Sequence, residues 1–243
     1  MHIELRHLTK KFGSTAVLNN ISGSMPAGQI VAMIGLNGAG KTTLLRCLAG
    51  ILAPTRGEIL YDGEPFTRGR LDMRRRLVFL PDFPSLYGQM NPLQHVALMF
   101  RVFERDFPDV VDQTIGVLRE LDMLPLAEVP VNRLSRGQYY KAALAGLLAV
   151  RPELWLLDEP FASGLDPQGL SVLKQRARQA AAAGATVIYT TQILEIAEKF
   201  CDRLCVIDHG GLRADFSRVE LDALPASGPE SIESRLQQFR ETP

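Results

Sequence analysis

Apolar positions along the chain follow two periods. Near the N-terminus Ile3 and Leu5 alternate with Glu4 and Arg6, the pattern of a half-buried strand. Val17, Leu18 and Ile21 suggest a second strand. Residues 28–34 are an apolar run between two glycines, as in a strand buried on both faces. The period then lengthens. Leu44, Leu45, Leu48, Ile51 and Leu52 form a helical stripe over residues 42–52, with Pro54 as its stop. Residues 77–80 predict another buried strand, closed by Pro81. Helical patterns follow over 92–103, 109–123 and 137–150. Short apolar runs at 154–157, 186–190 and 204–207 predict three more strands, with helices over 167–183 and 193–200 between them. Strands alternating with helices predict an α/β fold built of βαβ units around a mostly parallel sheet. The helical block, about residues 84–150, reads as an inserted subdomain of a domain spanning 1–216. Residues 217–243 are polar, with Pro225, Gly228 and Pro229, and predict a linker and a short tail helix.

Charge and composition narrow the function classes. Lys plus Arg and Asp plus Glu are both 27, so the formal net charge is zero. Sequence-independent nucleic-acid binding relies on excess basic charge, so no nucleic-acid partner is expected. Hydrophobic residues at 46% and charged residues at 22% exclude intrinsic disorder. The longest apolar run, residues 142–150, is nine residues. A spanning helix needs about twenty. Lys10, Lys11 and earlier charges interrupt any secretory leader. No direct membrane insertion is expected, and work at a membrane would go through a partner. Cys47, Cys201 and Cys205 cannot all pair, which suits a reduced, cytoplasmic chain.

The chemistry starts between the 28–34 strand and the helix after it. Gly35, Leu36, Asn37, Gly38, Ala39, Gly40, Lys41 and Thr42 fit a phosphate-binding loop in its proper strand–loop–helix context, with Thr43 just inside the helix. Glycines let successive backbone N–H groups line a concave anion site, and the helix N-terminus adds positive potential. Lys41 would reach the β- and γ-phosphates of ATP, and the Thr42 hydroxyl would ligate Mg²⁺. The strand at 154–157 ends in Asp158 and Glu159. Ligands of parallel sheets bind at carboxyl ends of strands, so Asp158 is placed for Mg²⁺ and Glu159 for a general base. Alone, such a pair more often caps a helix. Beside a phosphate loop the balance reverses.

Leu134, Ser135, Arg136, Gly137 and Gln138 precede a helix some twenty residues before Asp158. This stretch resembles the signature of the ABC-transporter ATPase family. The resemblance covers about residues 3–216. It implies a P-loop core, an N-terminal antiparallel β subdomain and an inserted helical subdomain. It also implies a head-to-tail ATP-dependent dimer, of two copies or with a related second ATP-binding subunit. Each ATP would lie between one subunit's phosphate loop and the other's Ser135, Arg136 and Gly137, with Gln138 beside them. Phe12 matches the aromatic that stacks on adenine. Residues 163–166 match a loop that contacts the other subunit. Residues 81–96 look most like stand-alone subunits that dock on an exporter's membrane subunit, at the cytoplasmic face of the cell membrane. Alternatives are an ABC ATPase outside transport, such as cluster assembly, and a weakly hydrolysing ATP-gated subunit.

Two positions depart from the family. Asp82 stands where it usually has Gln, so a carboxylate would face Mg²⁺ and the γ-phosphate. A simple turn cap is the alternative for Asp82. Gln192 stands where the family has its switch histidine, 33 residues after Glu159. Its amide can donate to a phosphate but carries no proton near neutral pH. Reduced hydrolysis is the expectation. Arg136 is a lesser variation that would add charge near the partner subunit's phosphates.

Overall fold

The computed structural model describes residues 1–105, 108–225 and 234. The chain opens with a hairpin, β1 (Ile3–Phe12) and β2 (Thr15–Met25), followed by β3 (Ile30–Ile34) and α1 (Lys41–Leu48). Then come β4 (Arg56–Tyr61), β5 (Glu64–Pro65), α2 (Leu71–Arg74) and β6 (Leu77–Leu80). Three helices follow: α3 (Pro92–Val102), α4 (Val110–Glu120) and α5 (Arg136–Val150). The remainder is β7 (Leu154–Leu157), α6 (Pro167–Ala182), β8 (Thr186–Thr191), α7 (Leu194–Phe200), β9 (Arg203–Asp208), β10 (Gly211–Ser217) and α8 (Arg218–Ala223).

One sheet has the order β2-β1-β4-β5 and is antiparallel. The other has the order β10-β9-β3-β8-β7-β6 and is parallel except for β10. Period-2 alternation splits the core between the sheet's faces. Ile30, Ala32, Ile34, Trp155 and Leu157 join the helices on one side. Val31, Met33, Leu154 and Leu156 join α1 and the antiparallel sheet on the other. Both faces are covered, which is why these strands read as unbroken apolar runs. Leu44, Leu45 and Leu48 of α1 are at most 2% exposed. Truncating one such leucine to alanine costs about 2–5 kcal/mol.

Several boundaries differ from the sequence pattern, each for a local reason. The alternation of β1 breaks after Leu5, because His7 adopts φ 50° at a register shift and Leu8 turns inward. The first helix stops at Leu48 rather than Leu52. Gly50 takes φ 68°, its N–H bonds the Cys47 carbonyl, and Ile51 is left 46% exposed. β4, β5, β10 and α2 carry weak or short patterns and went unpredicted. Beyond β10 the chain turns straight into α8, whose Leu221 is buried in the main core. The rest of the expected linker and tail helix lies almost entirely outside the described residues.

Matched register brings the strand ends level, with Ile34 opposite Thr191, Leu157 opposite Tyr189 and Leu80 opposite Leu157. The phosphate loop, Asp82, Asp158 and Gln192 therefore all follow carboxyl ends of neighbouring strands.

Candidate functional site

The loop between β3 and α1 has no room for side chains at two glycines. A Cβ on Gly35 would lie 2.2 Å from the Ile207 carbonyl oxygen. Gly40 has φ 108°, and a Cβ there would lie 2.9 Å from both the Val17 carbonyl oxygen and the Leu18 side chain. Lys41 opens α1 and is 6% exposed. Its ammonium donates to the carbonyls of Gly35 at 2.7 Å and Leu36 at 3.3 Å, and stands 3.5 Å from Glu159 Oε1. The loop is thus a cradle for an anion, with one buried cation at its centre.

The Thr42 hydroxyl donates to the Asp158 carboxylate, with the two oxygens at 2.8 and 3.0 Å. Asp158 is 5% exposed. It also accepts from Thr190 Oγ1 at 2.8 Å, and the same Thr190 oxygen accepts the Glu159 N–H at 2.9 Å. Glu159 has φ 48°, a left-handed conformation that costs a non-glycine residue about 1–3 kcal/mol. The Thr190 bond holds it there and leaves the carboxylate beside Lys41.

The far wall is polar and more open. Arg136 Nη2 lies 3.3 Å from Asp82 Oδ1 and 3.4 Å from the Ala162 carbonyl, with its guanidinium 4.5 Å from the Phe83 ring centre. Gln192 Nε2 donates to Asn37 Oδ1 at 2.9 Å, tying the strand β8 end to the phosphate loop. Together these groups line one cleft of about 590 Å³, which also includes Leu36, Gly38, Gly40 and Thr43. Gly35 and buried Ala39 support the loop from behind.

A family model described as ABC transporter matches residues 18–162. The chain belongs to the ABC transporter family. The Nod factor export ATP-binding protein I of Sinorhizobium fredii is 34% identical over 86% of this chain. This chain spans 60% of that relative's length. The ABC-type transporter ATP-binding protein EcsA of Bacillus subtilis is 30% identical over 90% of this chain and 88% of its own. A solved structure of an ATP binding subunit of an ABC transporter superposes with a TM-score of 0.84 at 28% identity, covering 89% of this chain and 90% of that one. The fold is accordingly that of an ABC P-loop ATPase domain.

Five of the family-matched residues stand away from the cleft. Ser135 caps α5 and forms a reciprocal capping box with Gln138. Gly137 packs against Gly164, where a Cβ would meet the carbonyl oxygen at 2.4 Å. Phe12 is 49% exposed on the antiparallel sheet, with the Lys10 ammonium 5.1 Å from its ring centre. The neighbouring Val17 does line the cleft. Asp166 caps α6 and is paired with buried Lys141 at 2.7 Å, which holds its carboxyl below the usual range. The three cysteines are buried and unpaired, and burial raises each thiol's pKa, to about 11 for Cys47 and Cys201.

Sequence reasoning missed Thr190. Its signal was a pair of adjacent threonines closing the strand. The anchors of the loop after β6 were missed as well. Tyr139 Oη accepts the Leu86 N–H at 2.8 Å. His95 is buried, with Nδ1 3.0 Å from the Asn91 carbonyl and Nε2 accepting the Tyr87 N–H at 2.9 Å. Burial lowers the His95 pKa, partly opposed by the Asn91 carbonyl.

Proposed function

We propose that the chain is the ATP-hydrolysing motor of an export-type ABC transporter. The observation that carries this reading is the convergence of Lys41, the Thr42–Asp158 pair and Glu159 on one cleft. Residues 35–43 bind the phosphates. The Thr42 hydroxyl and the carboxylates of Asp158 and Asp82 are hard oxygen donors, a set that suits Mg²⁺. Held by these residues, Mg²⁺ would supply positive charge to neutralise the phosphates. Lys41 exchanges its loop carbonyls for phosphate oxygens. Glu159 takes a proton from the attacking water, aimed by its left-handed backbone. Gln192 orients the γ-phosphate side through its amide, fixed by Asn37. Phe12 provides a face for adenine.

Ser135, Gly137 and Gln138 stand off their own cleft, which suits them to face the nucleotide of a second ATP-binding subunit. The domain is residues 1–216, with 84–150 as its helical insert. None of the described helices is long and apolar enough to cross a membrane. An apolar groove of about 400 Å³ between Ile51, Leu71, Phe79 and Val102 suits a helix of a membrane subunit, with Arg74 and Arg75 at its rim. The chain then works peripherally at the cytoplasmic face. Export is supported by the name of the Sinorhizobium relative.

The test is steady-state Mg-ATPase activity with Glu159→Gln as the blank. Turnover above the blank is expected, with ATP still bound by the variant. Gln192→His is expected to raise turnover, by up to about 10²-fold if positive charge assists the transition state. Wild-type turnover equal to the blank, with ATP bound, would leave an ATP-gated module instead.

A further inference from the structure

We propose that Arg136 is the positioning partner of Asp82 within the same chain, so that the variation at 136 compensates the departure at 82. The inference rests on the reading that the cleft takes Mg-ATP. Asp82 brings a third carboxylate to a cleft that already holds Asp158 and Glu159. Beside a polyphosphate such a charge repels. Lys41, Arg46 and Arg136 are the cations lining the same cleft, and Arg136 is the one in ion-pair contact with Asp82.

Three contacts set its guanidinium: Asp82 on one edge, the Ala162 carbonyl, and the face of Phe83. The Phe83 ring is 66% exposed and serves here as a platform for the cation. Arg136 and Tyr139 lie one turn apart on α5, and both grip the loop after β6, at Asp82 and Leu86. A glycine at position 136 would leave Asp82 without this cation. A glutamine at position 82 would leave Arg136 without its carboxylate. An exposed pair of this kind adds little to fold stability. Its effect belongs in nucleotide binding.

The experiment measures the Kd of a fluorescent ATP analogue, with and without Mg²⁺, for the full chain and a double-mutant cycle. Thermal midpoints are read in parallel. Arg136→Gln is expected to weaken binding roughly threefold to fivefold. In the Asp82→Asn background the same change is expected to cost nothing, and all midpoints stay level. Arg136→Lys is expected to recover part of the loss, since it keeps the charge but not the planar stack. An equal loss in both backgrounds would overturn the proposal and assign Arg136 to the phosphates directly. A loss of binding that tracks a fallen midpoint would overturn it as well. Failure of the wild-type chain to bind the analogue would overturn the ATP-site reading, and this inference with it.

Discussion

The two walls of the cleft are built differently. On the phosphate-loop wall Lys41 is 6% exposed and Asp158 5%, and each is fixed by backbone or hydroxyl groups at strand ends. On the signature wall the Arg136 and Asp82 side chains are 54% and 37% exposed and pair with each other. The first wall is preorganised by the sheet. The second depends on long side chains whose charges are screened by solvent and salt. Changes on the first wall should therefore be steep and those on the second graded.

Lys41→Ala should produce the largest effect. It removes the buried cation and leaves Glu159 without its partner, so ATP affinity should fall about 10²-fold in a binding titration. Retained affinity would show that the preorganised wall is not where binding resides. Thr190→Val comes next. It strips a hydrogen bond from both Asp158 and Glu159 at once, leaving the part-buried Glu159 N–H without its partner, at about 1–3 kcal/mol. Turnover should drop about tenfold with ATP binding largely kept. A fall in binding alone would mean that Thr190 serves the cradle rather than the base.

The smallest effect concerns His95, behind the open wall. Its pKa is lowered in the folded chain from the usual 6.5, so the unfolded chain binds the proton more readily. The stability it contributes is present above about pH 6.5 and is lost as pH falls through the folded value. Protonation would also end its acceptance of the Tyr87 N–H. Proteolysis of the loop after β6 should therefore quicken from pH 7 to pH 5, and His95→Gln should flatten that slope. An unchanged slope would place the pH response elsewhere.

Legibility in the sequence follows the same divide. The phosphate loop was readable because Gly35 to Thr42 are consecutive residues between one strand and one helix, although the neighbours that demand glycine at 35 and 40, Ile207, Val17 and Leu18, lie far along the chain. Strands β3 and β7 were readable because they are apolar throughout, as strands covered on both faces are. Thr190 was not, because its work depends on β8 lying beside β7, and strand order is not written in any one segment. The Asp82–Arg136 contact joins residues 54 positions apart and needs both α5 and the β6 end in place. The early end of α1 turned on Gly50, and an apolar Ile51 beyond it masked the stop.

The contact between Gly137 and Gly164 has a mechanical meaning. Backbone meets backbone there with no side chain between them, and the Lys141–Asp166 bridge pins the next turn of α5 to the start of α6. Compressible side chains absorb small displacements; two abutting main chains do not. The start of α5 and the loop after Glu159 thus mesh like gear teeth, so that a shift at one is passed to the other.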